Sequence, residues 1–308
     1  MNTRRDVRLF FTLPATAALC AAALLAGCGG AEDNDLLSFA DVKTSKLSAV
    51  RFGQKLTITL TGQMLHRDVE VSATNCANLV QSTTAPLLST PATSFYQCDL
   101  TTVGPGNISV LRVSDNVMMA SLPFNVGLPQ VTMSVSQSGT SKGDMVITLN
   151  PEKAPITVKN FLDYVNAGFY DGTFFHRAGS GFAQGGGFLP SVDGAVPVQK
   201  PTLYPPIALE SDNGLSNVQW TIAMARTDVP ASATSQFFLN LVNNSAIWDA
   251  PAGAPARTKG YAVFGTITAG TAIAASIGTA TCTTITGFGA SSCVPSPTLV
   301  VTKAVQSQ

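Results

Sequence analysis

The stretch from Gly143 to Arg177, "GDMVITLNPEKAPITVKNFLDYVNAGFYDGTFFHR", carries a strand, a helix and a candidate functional side chain in one run. Its first part alternates, with Met145, Ile147 and Leu149 on one face, which predicts a half-buried strand. Pro151 and Pro155 bound the turn that follows. From Thr157 to Ala167 the period changes: Val158, Phe161, Leu162 and Val165 recur at i, i+3, i+4 and i+7, the spacing of one apolar helix face. Gly168 stands where a helix C-terminal cap belongs. Phe174 and Phe175 then favour a strand, and at least one of them is expected in a core.

The continuation, "TFFHRAGSGFAQGGG" from Thr173 to Gly187, sets an arginine beside aromatics and a glycine run. Taken alone, Arg177 is an ordinary surface charge at a strand end. Gly185, Gly186 and Gly187 lack the Lys-Ser/Thr that completes a phosphate-binding loop and read as turn geometry. His176 reads as a packed or turn-capping side chain, and His66, beside Arg67 and Asp68, as a solvated one.

Further motifs follow in order: "GFAQGGG", "LESDNGLSN", "TIAMARTDVPASATSQFFLN" and "KGYAVFGTI". Together with "FHR" they resemble the cyclophilin family of peptidyl-prolyl cis–trans isomerases, closest to its bacterial periplasmic branch, from about Lys142 to Lys303. The resemblance implies an eight-stranded antiparallel β-barrel with two capping helices and an active site on its outer face. It assigns Arg177 as the catalytic hydrogen-bond donor. It places Phe182 and Phe238 in the walls of a proline pocket, Gln184 and Gln236 as polar contacts to the peptide, and Ala225 and Arg226 beside the substrate main chain. Tyr261 stands at the pocket edge. Because Phe237 and Phe238 alternate, one faces inward, and Phe238 is expected toward the substrate. No cofactor or metal is implied.

Two departures from the family pattern bear on activity. Between Arg177 and Phe182 a Ser replaces the usual Pro, and Gln184 arrives one residue early. In an extended segment such a deletion reverses the face a side chain occupies unless a bulge absorbs the change, which leaves Gln184 less secure than Arg177 or Phe182. In "AIWDA" the rim aromatic is shifted by one position, leaving Trp248 to shield the site from a new angle.

The segment from Leu36 to Leu128 has a different character. "KLTITLTG" sets Leu56, Ile58 and Leu60 against Thr57, Thr59 and Thr61. "DVEVSA", "SFYQCDL", "NISVLRV" and "ASLPFNV" repeat short strands between turn residues, the pattern of an immunoglobulin-like β-sandwich. The polar stretch from residue 129 to 141 reads as a linker, and residues 142–308 as the isomerase domain.

The N-terminus reads as an export signal. Arg4, Arg5 and Arg8 precede an apolar run interrupted by Pro14, and Leu25-Ala26-Gly27-Cys28 looks like a bacterial lipobox. Residues 1–27 are then a removed leader, Cys28 the acylated residue and 28–35 a tether. Several acyl chains anchor firmly where one gives only marginal binding. The expected location is the cell envelope, on the periplasmic side of the outer membrane. Of six cysteines, Cys76, Cys98, Cys282 and Cys293 remain for an oxidising compartment, with Cys76–Cys98 and Cys282–Cys293 the local pairings. With no C-x-x-C and two histidines, zinc is the weaker reading.

The 308 residues carry 18 basic and 18 acidic side chains and no basic block, which argues against nucleic-acid binding. The expected protein is mainly β: a lipid-anchored isomerase acting on proline-containing envelope polypeptides, with an N-terminal module free to hold an envelope partner. The competing reading is a non-catalytic proline-peptide binder or chaperone whose active-site loop is degraded.

Overall fold

The computed structural model describes residues 39–179, 181–191, 196–255, 258–288 and 293–308. The expected leader, the tether and Cys28 lie outside the described residues. Phe39–Gln308 form one compact unit.

Seven strands come first: β1 (Asp41–Leu47), β2 (Lys55–Gln63), β3 (Val69–Thr74), β4 (Ala77–Gln81), β5 (Thr93–Asp99), β6 (Gly104–Arg112) and β7 (Val117–Val126). They form two sheets, ordered β1-β2-β5-β4 and β3-β6-β7. Leu56, Ile58 and Leu60 of β2 point inward and are fully buried, meeting Ile108 and Val110 of β6 and Val126 of β7 in one core. The alternation that predicts β2 is thus the alternation that fills the sandwich. Cys98 on β5 bonds to Cys76 in the connection before β4, with Cα atoms 5.5 Å apart. His66 is exposed.

The second half begins earlier than expected. Residues read as a linker form β8 (Gln130–Gln137) and the start of β9 (Thr140–Leu149). Val131, Met133 and Val135 are buried while Thr132, Ser134 and Ser136 are part-exposed, a period of two carried through a Ser/Thr-rich stretch. Then follow α1 (Pro155–Asn166), β10 (Arg177–Gly179), β11 (Phe182–Gly185), β12 (Phe188–Leu189), β13 (Val198–Gln199), β14 (Thr221–Met224) and β15 (Phe237–Asn240). The chain ends with α2 (Ser245–Trp248), β16 (Val263–Ala269), α3 (Thr271–Gly278), β17 (Thr281–Thr283), β18 (Val294–Ser296) and β19 (Leu299–Gln306).

Eight of these strands make one antiparallel sheet, in the order β10-β11-β15-β14-β16-β9-β8-β19. The sheet curls until its ends meet. Gly172 N donates to Val301 O (2.8 Å), Val301 N to Thr173 O (2.8 Å) and Phe175 N to Leu299 O (3.0 Å), joining β19 to the segment leading into β10. Such closure leaves few free edges. One end is capped by α1, whose Val158, Phe161, Leu162 and Val165 are all buried; each contributes about 1.5–3 kcal/mol of apolar burial. Its first turn carries Pro at the tolerated position. Its free N–H groups at Ile156 (3.2 Å) and Thr157 (2.8 Å) donate to the buried Glu210 carboxylate. Gly168 ends the helix at φ +65°.

Candidate active site

The sheet presents two rows of side chains, one on each face. Cα pairing runs Ala178↔Ala183↔Leu239↔Ile222 across β10, β11, β15 and β14, and all four are buried in the barrel interior. One residue along, the pairing runs Arg177↔Gln184↔Phe238↔Ala223↔Val263. Directly paired residues of an antiparallel ladder share a face, so this row lies on the outer side of the sheet. Phe237 takes the inner side and is fully buried, while Phe238 joins an outer cluster with Ala223, Val263, Phe182, Trp248 and Tyr261.

That row frames a cavity of about 270 Å³ lined by Arg177, Phe182, Gln184, Ala225, Arg226, Phe238, Trp248 and Tyr261. These are eight of the nine binding and catalytic positions the sequence nominates. The ninth, Gln236, lines the neighbouring depression and accepts a hydrogen bond from Gln184 Nε2 at 3.0 Å. Four rings wall the cavity in edge-on contacts. Trp248 lies 5.4 Å from Phe182 and 4.8 Å from Phe238, and Tyr261 lies 5.3 Å from Phe238 between centroids. Rings so disposed pack edge to face and give the cavity an aromatic wall.

Two guanidiniums complete the lining, and among the described residues no carboxylate does. Arg177 is exposed, and its guanidinium sits 5.0 Å from the Phe182 ring centroid. No ion pair with a carboxylate holds it among the described residues, so its N–H groups face the cavity unspent. Arg226 is more constrained: it donates to Gly260 O (2.9 Å) and Thr227 O (2.8 Å) and stacks 5.0 Å from Tyr261. It ties the loop after β14 to the loop before β16 and so sets the position of Tyr261.

The early arrival of Gln184 does not turn it away from the site. The missing residue is absorbed in the β10–β11 turn, where Gly179 pairs with Phe182, and Gln184 stays directly across from Arg177. The face reversal expected of a deletion within a strand is therefore avoided. Gly181, on the β11 side of the turn, is anchored: its O accepts from both Leu241 N (3.0 Å) and Asn244 Nδ2 (2.9 Å).

Sequence reasoning overlooked the support behind the pocket. Asn244 Nδ2 donates to Asn240 Oδ1 (2.8 Å), Asn240 Nδ2 to Asn217 Oδ1 (3.1 Å), and Asn217 Nδ2 to Asp249 Oδ1 (2.8 Å). Asp249 also accepts from Ser216 Oγ and from Asn217 N. Trp248 O accepts from Tyr261 N at 3.0 Å. This buried polar chain connects the β10–β11 turn, α2 and the Trp248 wall. Its members sit inside "LSN", "FFLN", "LVNNS" and "AIWDA", but residues spread over such separate stretches carry no periodic signal.

His176 is packed, 5% exposed, with its ring 4.7 Å from Phe188 and 6.2 Å from Phe288. Nδ1 has no hydrogen-bond partner. Burial pushes its pKa down from 6.5 to about 4, and the adjoining Arg177 charge acts in the same direction. It is a neutral packing group at neutral pH.

Comparison with known proteins agrees with this geometry. The family model for cyclophilin type peptidyl-prolyl cis-trans isomerase/CLD matches residues 131–303. The chain is similar to peptidyl-prolyl cis-trans isomerase A of Dickeya dadantii, 48% identical over 136 residues that cover 44% of this chain and 66% of that protein. It is 50% identical over 139 residues to isomerase cyp18 of Streptomyces antibioticus (45% of this chain, 79% of that protein). It is 48% identical over 132 residues to isomerase B of Escherichia coli (42% and 76%). A closed antiparallel sheet, an outer arginine–aromatic cavity and a family match over more than half of the sequence lead to one conclusion: this chain belongs to the cyclophilin-type peptidyl-prolyl cis–trans isomerases.

Proposed function

We propose that the cavity accelerates X–Pro rotation by donating a hydrogen bond from Arg177 to the prolyl nitrogen as the amide twists. The single observation that carries this is Arg177, without a carboxylate partner among the described residues, over the Phe182 ring in the lining of a cavity walled by four rings. Amide resonance sets a barrier of about 18–20 kcal/mol, and unaided exchange takes on the order of tens to hundreds of seconds. An enzymatic rate five decades faster needs about 7 kcal/mol. No nucleophile or proton relay is required, only tighter binding of the twisted amide than of either planar form.

In the twisted state the nitrogen becomes pyramidal and recovers its lone pair, which a fixed donor stabilises. One preorganised donor contributes about 3–4 kcal/mol. The remainder comes from orientation by Gln184, Gln236 and the loop at Ala225 and Arg226, and from exclusion of water by Phe182, Phe238, Trp248 and Tyr261. An arginine suits the role because its donors form a rigid fork and its charge persists at any working pH. Protease-coupled isomerisation of a short Ala-Pro peptide by the full chain tests the reading. Acceleration proportional to protein concentration is expected; peptide binding with no acceleration would leave a proline-peptide binder instead.

The substrates proposed are proline-containing polypeptides of the cell envelope. Acylation at Cys28 after removal of residues 1–27 would tether the isomerase to the membrane, and the lipobox carries this part of the proposal. Cys28→Ala should abolish both the lipid mass increment and membrane fractionation. The N-terminal strands are proposed to be an immunoglobulin-like module, as a spacer or a holder of an envelope partner. Sheet orders of four and three strands, β1-β2-β5-β4 and β3-β6-β7, support this, since they follow the A-B-E-D and C-F-G scheme of such domains.

A further inference from the structure

We propose that the Cys282–Cys293 disulfide is a positioning element for Arg177, so that the isomerisation rate depends on the oxidation state of this one bridge. The inference rests on the reading of Arg177 as the donor.

The strand that carries Arg177 is short and terminal. β10 has three residues and stands at the end of the sheet order, with β11 on one side. On its other side β19 fixes the chain only as far as Phe175, through the bond from Phe175 N to Leu299 O. Beyond that point, toward Arg177, the partner is Cys293, whose carbonyl accepts from Ala178 N at 2.9 Å. The residue next to the donor is thus hydrogen-bonded directly to a disulfide cysteine.

What holds Cys293 there, besides the bridge, is a short ladder and the packing of the buried Val294 and Pro295 that follow it. Cys293 enters β18, which pairs with β17 over three residues, and every residue of β17 is exposed. A two-stranded ladder of this size is marginal on its own. Cys282 on β17 and Cys293 have Cα atoms 4.8 Å apart and are joined covalently. The same closed loop contributes Phe288, which packs 5.0 Å from Phe188 and 6.2 Å from His176, the residue preceding Arg177. One bridge therefore restrains contacts on both chain neighbours of the donor. The other disulfide, Cys76–Cys98, lies in the N-terminal sandwich and touches none of this.

Reduction by a dithiol breaks the S–S bond and forms two cysteine thiols. The two electrons and two protons come from the dithiol, which closes to its own disulfide. The test uses the full chain carrying Cys76→Ala and Cys98→Ala, so that only one bridge responds to dithiothreitol. Expected on reduction is a fall in kcat of about tenfold, the scale of a donor displaced by a fraction of an ångström. KM should stay within about twofold, and reoxidation should restore the rate. Thiols are counted by alkylation and mass. A Cys282→Ala/Cys293→Ala variant with the sandwich bridge intact should show the same loss without reductant.

In an Arg177→Ala background the same reduction should lower the rate no further, a result that general loosening of the barrel would not give. The inference is overturned by an unchanged kcat with both thiols free, by an effect on KM alone, or by an equal fall in the Arg177→Ala background. Full activity of oxidised Arg177→Ala would instead overturn the reading of Arg177 itself. A rate that needs Arg177 yet ignores reduction overturns only the role of the bridge.

Discussion

Acid should unfold this protein partly through one histidine. His176 is 5% exposed, has an unpartnered Nδ1 and is ringed by Phe174, Phe188 and Phe288. Burial lowers its pKa from 6.5 to about 4, helped by the neighbouring Arg177 charge. Its folded value lies below its unfolded one, so between the two the unfolded chain binds a proton that the folded chain refuses. Stability from this group is therefore intact above pH 6.5 and falls as pH drops toward 4, where the loss levels off. At about 1.36 kcal/mol per pH unit, the interval amounts to about 3 kcal/mol, a large part of a typical domain's margin.

The check is urea unfolding of wild type and His176→Leu at several pH values between 7.5 and 4, followed by tryptophan fluorescence. Carboxylates titrate alike in both proteins, so the difference between the two curves isolates the histidine. Wild type should lose about 3 kcal/mol relative to the variant across the window. Parallel curves would refute the claim that His176 is held neutral by its burial.

Other perturbations follow from the same geometry. Asn240→Leu leaves Asn217 Oδ1 without its partner and takes one of two partners from Thr221 Oγ1 and from Asn244 Nδ2; it should cost about 1–3 kcal/mol in urea unfolding and lower kcat as the Trp248 wall loosens. Gly186→Ala should destabilise by more than about 1 kcal/mol, because φ is +80° and a Cβ would meet Phe237 and Ser235 O at 2.9 Å. Phe182→Ala removes both a slot wall and the ring beneath Arg177, so KM should rise and kcat fall together in the isomerisation assay.

Much of the barrel was legible because its signals are local and periodic. The apolar stripe of α1, the buried alternation of β9 and the opposite facing of Phe237 and Phe238 each follow from spacing within one element. Motif resemblance then located the cavity residues, which lie on separate strands and would not be grouped by local pattern. Besides the asparagine chain behind the pocket, other features were not legible. β8 was hidden by its Ser and Thr content, since a polar outer face over a Val/Met inner face looks like a linker by composition. β1 and β4 were missed because their faces are mostly exposed. The facing of Gln184 was left open because register depends on where a hairpin turns, and only the pairing of Gly179 with Phe182 decides that.

The most direct test of the account is catalysed cis–trans exchange of an Ala-Pro peptide, measured by NMR with wild type, Arg177→Ala and Arg177→Lys. The account predicts that Arg177→Ala loses about 10²–10³ in kcat while peptide affinity changes little. Arg177→Lys should recover only part of the loss, because an ammonium is a donor without the rigid fork. Wild-type exchange by Arg177→Ala, with the peptide still bound, would contradict it.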